Sequence, residues 1–173
     1  MKPIFKNMLW LLLLPLLACI YYFYPEQKLP DNAKIDRLEV FKSKRKMKVY
    51  SGERLLKTYT ISLGRNPVGH KQFEGDFKTP EGSYIINDRN PNSAYHKNLG
   101  VSYPNDADKA FAKREGKSPG GLIKIHGLKN GRGYIGKLHR WKNWTAGCIA
   151  VTNSEIDELY TAVLSNAVII IHP

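Results

Sequence analysis

One thiol and one histidine in the polar part of this chain could do chemistry together. Cys148 stands in the run Trp144-Thr145-Ala146-Gly147-Cys148-Ile149, and His126 lies upstream in Ile125-His126-Gly127. The chain has one other cysteine, Cys19, inside an apolar N-terminal segment, so the polar part has no partner for an internal disulfide. A thiol attacks a carbonyl only as thiolate, and a histidine is the side chain best suited to take its proton near neutrality. Gly147 allows close approach of the backbone, which lets amides near Cys148 face a developing oxyanion. The competing reading is a buried, inert cysteine. Against that reading, the residues before Cys148 form a loop pattern, not a periodic core stretch. The other histidines are His70, His96, His139 and His172. A metal site from His126, His139 and Cys148 is the other alternative. Its spacings match no familiar zinc pattern and no carboxylate lies close by, so no metal and no cofactor is expected.

These residues need elements to position them. Leu122-Ile123-Lys124-Ile125 reads as a strand delivering His126 at its end, after a Pro119-Gly120-Gly121 stop. Leu38, Val40, Met47 and Val49 alternate with polar neighbours, and Leu55 to Leu63 reads as a return strand after a turn at Gly52. Gly64 to Gly82 reads as loop, Tyr84-Ile85-Ile86 as a short strand, and 87–105 as a long ordered loop anchored by Tyr95, Leu99, Val101 and Tyr103. Ala107 to Glu115 reads as a helix with Asp106 as cap. Thr152 to Asn166 reads as an amphipathic helix opened by a Thr152/Glu155 capping box, and Ala167 to Ile171 as a final buried strand. The class expected is mainly β with a few helices, α+β overall.

Composition places the chain. There are 173 residues, 27 Lys and Arg against 15 Asp and Glu, and a net charge of +12. Lys2 and Lys6 precede an apolar and aromatic run from Met8 to Tyr24, interrupted only by Pro15. That is the pattern of an export signal or signal anchor, with tyrosines where an interfacial belt would sit. An uncleaved anchor over residues 1–24 is the first expectation. A lipoprotein signal at Leu16-Leu17-Ala18-Cys19 is the second, and simple cleavage the third. All three put residues 25–173 outside the cytoplasm, with 25–34 as linker and 35–173 as one domain. Removing Lys2 and Lys6 leaves that part at +10, which favours an anionic neighbourhood. Lys42, Lys44, Arg45, Lys46 and Lys48 cluster, but strand alternation puts most of them on a solvated face. No nucleic-acid partner is expected.

The sequence resembles the L,D-transpeptidase catalytic domain, the YkuD-like family, from Ile35 to Pro173. The resemblance rests on Ile125-His126-Gly127 followed by Thr145-Ala146-Gly147-Cys148, which fits the family's S/T-x-G-C. It rests also on Gly75-Asp76-Phe77-Lys78-Thr79-Pro80-Glu81-Gly82-Ser83-Tyr84 and on the Gly-Gly-Leu-Ile-Lys-Ile approach to His126. It implies a β-sandwich-like fold, an envelope or periplasmic location, and action on peptidoglycan stem peptides. Cys148 would be nucleophile and His126 base. The Gly127 carbonyl would orient the imidazole, and Thr145 and amides near Gly147 would shape the oxyanion site. The acyl-enzyme would pass to an amine, or to water in a hydrolase. A cell-wall binding module without activity is the alternative of another class. The chain departs from the family at Ala150, where many members carry Arg or Asn, and at Ala146, where many carry His. Carboxylate recognition is therefore sought in Arg89, Arg140 and Lys142, with Trp144 as a further substrate contact. The long basic stretch from Gly127 to Trp144 reads as a lid or acceptor-side loop.

Overall fold

Alternation of apolar and polar residues builds most of this chain into one curled sheet, seen in a computed structural model. The backbone is described from Pro3 to Pro173 and side chains from Leu13 onward. The strands are β1 (Ile35–Phe41), β2 (Lys46–Ser51), β3 (Arg54–Thr60), β4 (Gly82–Ser93), β5 (His96–Val101), β6 (Lys124–His126), β7 (Ile149–Ala150) and β8 (Val163–His172). Their order is β3-β2-β1-β8-β4-β5-β6-β7. The pairs β1–β8 and β6–β7 are parallel and the others antiparallel. The helices are α1 (Pro3–Phe23), α2 (Asp106–Arg114) and α3 (Asn153–Ala162), with a 3₁₀ segment at Gly133–Trp141.

The core lies where the inward residues of the strands meet α3. Leu38, Val40, Met47, Val49, Tyr59 and Ile169 are fully buried, as are Ile156 and Leu159 of α3. The α3 capping box forms as the sequence predicts. Thr152 Oγ1 accepts the Glu155 N–H, and a Glu155 carboxylate oxygen accepts the Thr152 N–H at 2.9 Å. In α2 the cap is Asn105 rather than Asp106, paired with Asp108 at the third position. Asp108 also accepts the Tyr84 hydroxyl at 3.1 Å and His70 Nε2–H at 2.9 Å, a buried use that fixes the register one residue earlier.

Four expectations change here. The loop expected at 87–105 is mostly a long hairpin of β4 and β5, because edge pairing with β8 and β6 satisfies backbone groups that the Pro and Asn content seemed to free. The helix expected to Asn166 stops at Ala162, and Val163 and Leu164 belong to β8, whose start pairs with Ile35. In β8, Val168 is exposed between buried Ala167 and Ile169, so that strand is covered fully on one face only. Within the basic cluster, Lys42 is buried instead of solvated. Its ammonium donates to the Gly69 and Thr79 carbonyls and to Glu81 at 2.7–2.9 Å.

The N-terminal helix meets the domain through the 3₁₀ segment. Tyr22 donates its hydroxyl hydrogen to the Tyr134 carbonyl at 2.6 Å, and Lys137 donates to the Tyr21 and Tyr24 carbonyls. Among the described residues no helix is long and apolar enough to cross a membrane. The side chains of Met8 to Leu12, the first part of the expected anchor, lie outside the described residues.

Arg140 ties these parts together. One guanidinium nitrogen lies 2.7 Å from Glu26 of the linker and another 2.7 Å from Glu155 of the α3 cap, and its carbonyl accepts Arg45 Nη1–H. Arg140 and Glu155 are both buried. Removing one member of such a pair strands the other charge. Arg140→Ala is therefore expected to lower stability by about 3–5 kcal/mol, read as a fall in the denaturant midpoint at unchanged slope. A loss no larger than that of an ordinary surface substitution would contradict the assignment.

Candidate active site

The short parallel pair β6–β7 places the chemistry. Ile125 pairs with Ile149 and His126 with Ala150. Side chains two apart on a strand share a face. Cys148, immediately before β7, therefore continues the face that carries Ala150, beside Lys124 and diagonal to His126. His126 Nδ1 lies 2.6 Å from the Gly127 carbonyl. A carbonyl only accepts, so Nδ1 carries the hydrogen and Nε2 keeps its lone pair. The thiol donates toward the Leu122 carbonyl at 3.5 Å.

The loop before the thiol has one permitted geometry. Gly147 has φ +138°, a region that L side chains avoid, and a Cβ there would sit 2.7 Å from the Lys78 carbonyl oxygen. Thr145 Oγ1 accepts the Gly147 N–H at 3.1 Å and donates to the Cys148 carbonyl at 2.7 Å. The Gly147 amide, expected at the oxyanion site, is thus already occupied. The Cys148 N–H donates to no group among the described residues.

The Gly75 to Tyr84 segment packs behind this loop. Asp76 accepts hydrogen bonds from Lys71 Nζ and from the N–H groups of Gln72, Phe73 and Lys78, all at 2.8–3.1 Å. Thr79 is buried and accepts the Gly64 N–H at 3.1 Å. The two sequence motifs are therefore one structural unit: the first positions the carbonyl against which Gly147 closes.

Cys148 and His126 line one cleft of about 530 Å³ with Trp144, Thr145, Asn98 and Arg65. The His126 ring packs in a cluster with Tyr95, at 4.7 Å between centroids, and Trp144, edge-on at 5.7 Å, and these two rings stack on each other at 6.2 Å. Trp144 donates its indole hydrogen to His139 Nδ1 at 3.4 Å. Two cations expected to bind substrate are placed elsewhere. Arg89 donates to the Tyr160 and Val163 carbonyls at the end of α3, and Arg140 is held between Glu26 and Glu155. Lys142 lies in a neighbouring groove. The cleft's exposed guanidinium is that of Arg65, which stacks on Phe77 at 4.1 Å and forms no ion pair among the described residues. Lys124 also lines the cleft, paired with Asp88 at 2.6 Å. Asn98 Oδ1 is buried in the same wall with no donor. Sequence reading missed Arg65 and Asn98: neither has a motif, and Asn98 reaches the cleft only because it pairs with His126 across β5–β6.

Burial pushes the Cys148 thiol up from its ordinary value, offset in part by the Lys124 backbone N–H and by the Lys124 and Lys71 charges. Burial also holds the His126 imidazole down, offset in part by the Gly127 carbonyl. Both shifts favour the neutral forms, so the resting pair is thiol and imidazole rather than thiolate and imidazolium. His139 is pushed down to about 3 by burial and by the Arg140 and His126 charges, and it is neutral throughout the physiological range.

With this fold and cleft, comparison with known proteins is decisive. Residues 35–171 match the L,D-transpeptidase catalytic domain, and the chain belongs to that family. A relative from Escherichia coli K12, YafK, named only provisionally as an L,D-transpeptidase, is 34% identical over 132 residues, covering 73% of this chain and 46% of its own length. The Campylobacter jejuni helical cell shape determining protein Pgp2 (K307A mutant) superposes with a TM-score of 0.62 at 25% identity, covering 84% of this chain and 49% of its own. Bdellovibrio bacteriovorus Bd1075 gives 0.54 at 27%, covering 84% and 51%. The chain spans about half the length of these relatives.

In a Cys19→Ser background, alkylation of Cys148 by iodoacetamide is expected to keep rising with pH after a free thiol in a small peptide has levelled off. A rate already at its plateau near neutrality would mean a resting thiolate and would contradict the neutral pair.

Proposed function

We propose that this chain is an exported cysteine acyltransferase acting on peptidoglycan stem peptides through a Cys148 thioacyl-enzyme. The observation that carries this reading is the His126 Nδ1–Gly127 carbonyl bond, which leaves Nε2 as an acceptor in the cleft that also holds the only thiol of the domain. Membership of the L,D-transpeptidase family supplies the substrate class.

Substrate excludes water from the cleft, and Nε2 takes the thiol proton as sulfur attacks the carbonyl carbon of the L-to-D amide. The Cys148 N–H donates to the oxyanion. The imidazolium returns its proton to the departing amine of D-alanine as the C–N bond breaks. An amine then attacks the thioester, the C–S bond breaks, and His126 returns the amine's proton to sulfur. Water in place of the amine would give hydrolysis with the same donor-side residues. Arg65 is the proposed partner of a stem-peptide carboxylate, and Asn98 Oδ1 the acceptor for a stem-peptide N–H.

The apolar N-terminal run is proposed to hold the domain at the outer face of the cytoplasmic membrane, with Lys2 and Lys6 inside. Cys19 is exposed and supports lipidation as the other mode of attachment. A role in cell-wall biogenesis and cell shape follows the same line, by likeness to Pgp2.

The test incubates the chain with tetrapeptide-stem muropeptides, with and without an amine acceptor, and reads products by mass spectrometry. Loss of D-alanine with a new cross-linked or adducted mass is expected. Cys148→Ala should abolish it without loss of folded structure, and His126→Gln should slow it by about 10²–10⁴-fold, the range for a general base. Products carrying only added water would make the protein a hydrolase, and full activity in Cys148→Ala would sink the proposal.

A further inference from the structure

The peptide group between Gly127 and Leu128 has both of its polar ends engaged. Its carbonyl accepts the His126 Nδ1–H at 2.6 Å. Its N–H donates to Asn153 Oδ1 at 2.8 Å. An amide is planar, and in the trans form its C=O and N–H point to opposite sides of one rigid plate. Asn153 therefore holds from behind the plate that faces the imidazole. An amide N–H only donates, so the atom it meets is the oxygen of Asn153 and not its nitrogen. The preceding peptide is held separately. Its carbonyl, that of His126, accepts the Val151 N–H at 3.0 Å, and its N–H, that of Gly127, reaches the Lys97 carbonyl only at 3.4 Å.

The surroundings are built around that asparagine oxygen. Gly127 is buried, and a Cβ there would lie 2.7 Å from Asn153 Oδ1, 3.0 Å from Ile156 Cγ2 and 3.1 Å from His96 Cβ. Its φ is not in the left-handed region, so the glycine after His126 answers to the space that Asn153 fills and not to backbone conformation. Asn153 is the first residue of α3, directly after the Thr152 cap. The Thr152–Glu155 box, with Arg140 on Glu155, fixes where that first turn begins. The connection from Cys148 to Asn153 runs through β7 alone. One short stretch of chain thus carries the thiol and the group that holds the partner of the base.

Resting on the thioacyl-enzyme reading above, we propose that Asn153 is a positioning residue for the reaction: through the Gly127–Leu128 amide it holds the His126 ring with hydrogen on Nδ1 and a free lone pair on Nε2. The relay runs from His126 Nδ1–H to the Gly127 carbonyl, and from the Leu128 N–H to Asn153 Oδ1. Donating its N–H draws the amide toward its charge-separated form, so the carbonyl oxygen becomes a stronger acceptor. When Nε2 takes the thiol proton, that carbonyl meets the imidazolium charge and Asn153 keeps it aimed. Without the asparagine oxygen the Leu128 N–H loses its acceptor and the plate can turn. Hydrogen on Nε2 then becomes populated, and that tautomer offers the thiol no lone pair.

The experiment follows the imidazole nitrogens of the histidine-labelled full chain by heteronuclear NMR in detergent micelles, with His126→Gln identifying the His126 signals. Alongside, thioacyl-enzyme formation from a tetrapeptide donor is timed in a single turnover by mass spectrometry. In the parent a single tautomer with hydrogen on Nδ1 is expected at neutral pH. Asn153→Ala is expected to mix the two tautomers and, at saturating donor, to slow thioacyl formation about tenfold or more, a part of what a general base supplies. Asn153→Asp keeps an oxygen in place, at a helix start that favours negative charge. It should retain the single tautomer and a rate close to the parent's, and move the Nδ1–H signal downfield. An asparagine that serves only the fold would lower the melting temperature of Asn153→Ala and leave the tautomer unchanged, which overturns the proposal. Should Asn153→Ala not fold, Asn153→Asp decides: an unmoved Nδ1–H signal overturns it. A parent that forms no thioacyl-enzyme overturns the acyltransferase reading instead, while the hold on the ring is decided by the tautomer alone.

Discussion

The site depends on a parallel pairing only two residues long. β6 and β7 align Ile125 with Ile149 and His126 with Ala150, and β7 is held on its other side by paired hydrogen bonds between Ser62 and Ala150 at 2.8 and 3.0 Å. Parallel neighbours need a crossover connection, so the chain between them must leave the sheet and return. That detour is the 3₁₀ segment with its flanking loops, and it forms the groove that neighbours the cleft. Positioning a thiol beside a histidine and building the groove next to them are therefore one topological event.

A small part of the positive charge serves as internal mortar. Lys42, Lys71 and Arg140 are buried, and each is met by a carboxylate: Glu81, Asp76 and Glu155 respectively. Buried charges persist only when paired and hydrogen-bonded. The cations without partners among the described residues include Arg65 in the cleft and Lys129, Arg132 and Lys142 in the groove beside it. A net charge of +12 is thus a poor guide to where an anion would bind, whereas the pairing pattern is informative.

The proposed catalytic pair rests neutral because both groups are desolvated. Such a pair is quiet until substrate arrives, when proton transfer and attack on carbon proceed together. Aromatic packing on His126 and the hydrogen bond to Gly127 fix the ring in the tautomer that reaction requires. His139 stands behind Trp144 as a neutral acceptor, so the wall between cleft and groove is pinned by a hydrogen bond as well as by contact.

The sequence alone determined the family, through two motifs whose residue types are dictated locally. Gly147 must be glycine at φ +138°, Asp76 must accept several backbone amides within one loop, and Thr152 and Glu155 cap the helix that follows them. Period-two alternation likewise gave β1, β2 and β3. Tertiary structure decided what depends on distant partners. The 87–105 segment became a hairpin because β8 and β6 offered edges, and α3 ended early because Val163 pairs with Ile35. Arg89 and Arg140 looked available as charges, yet carbonyls at the end of α3 and two glutamates engage them. Asn98 and Arg65 looked like loop residues, yet register and closure bring them into the cleft. A local rule fixes backbone shape and capping, but whether a polar side chain is free to meet a substrate depends on neighbours that folding supplies.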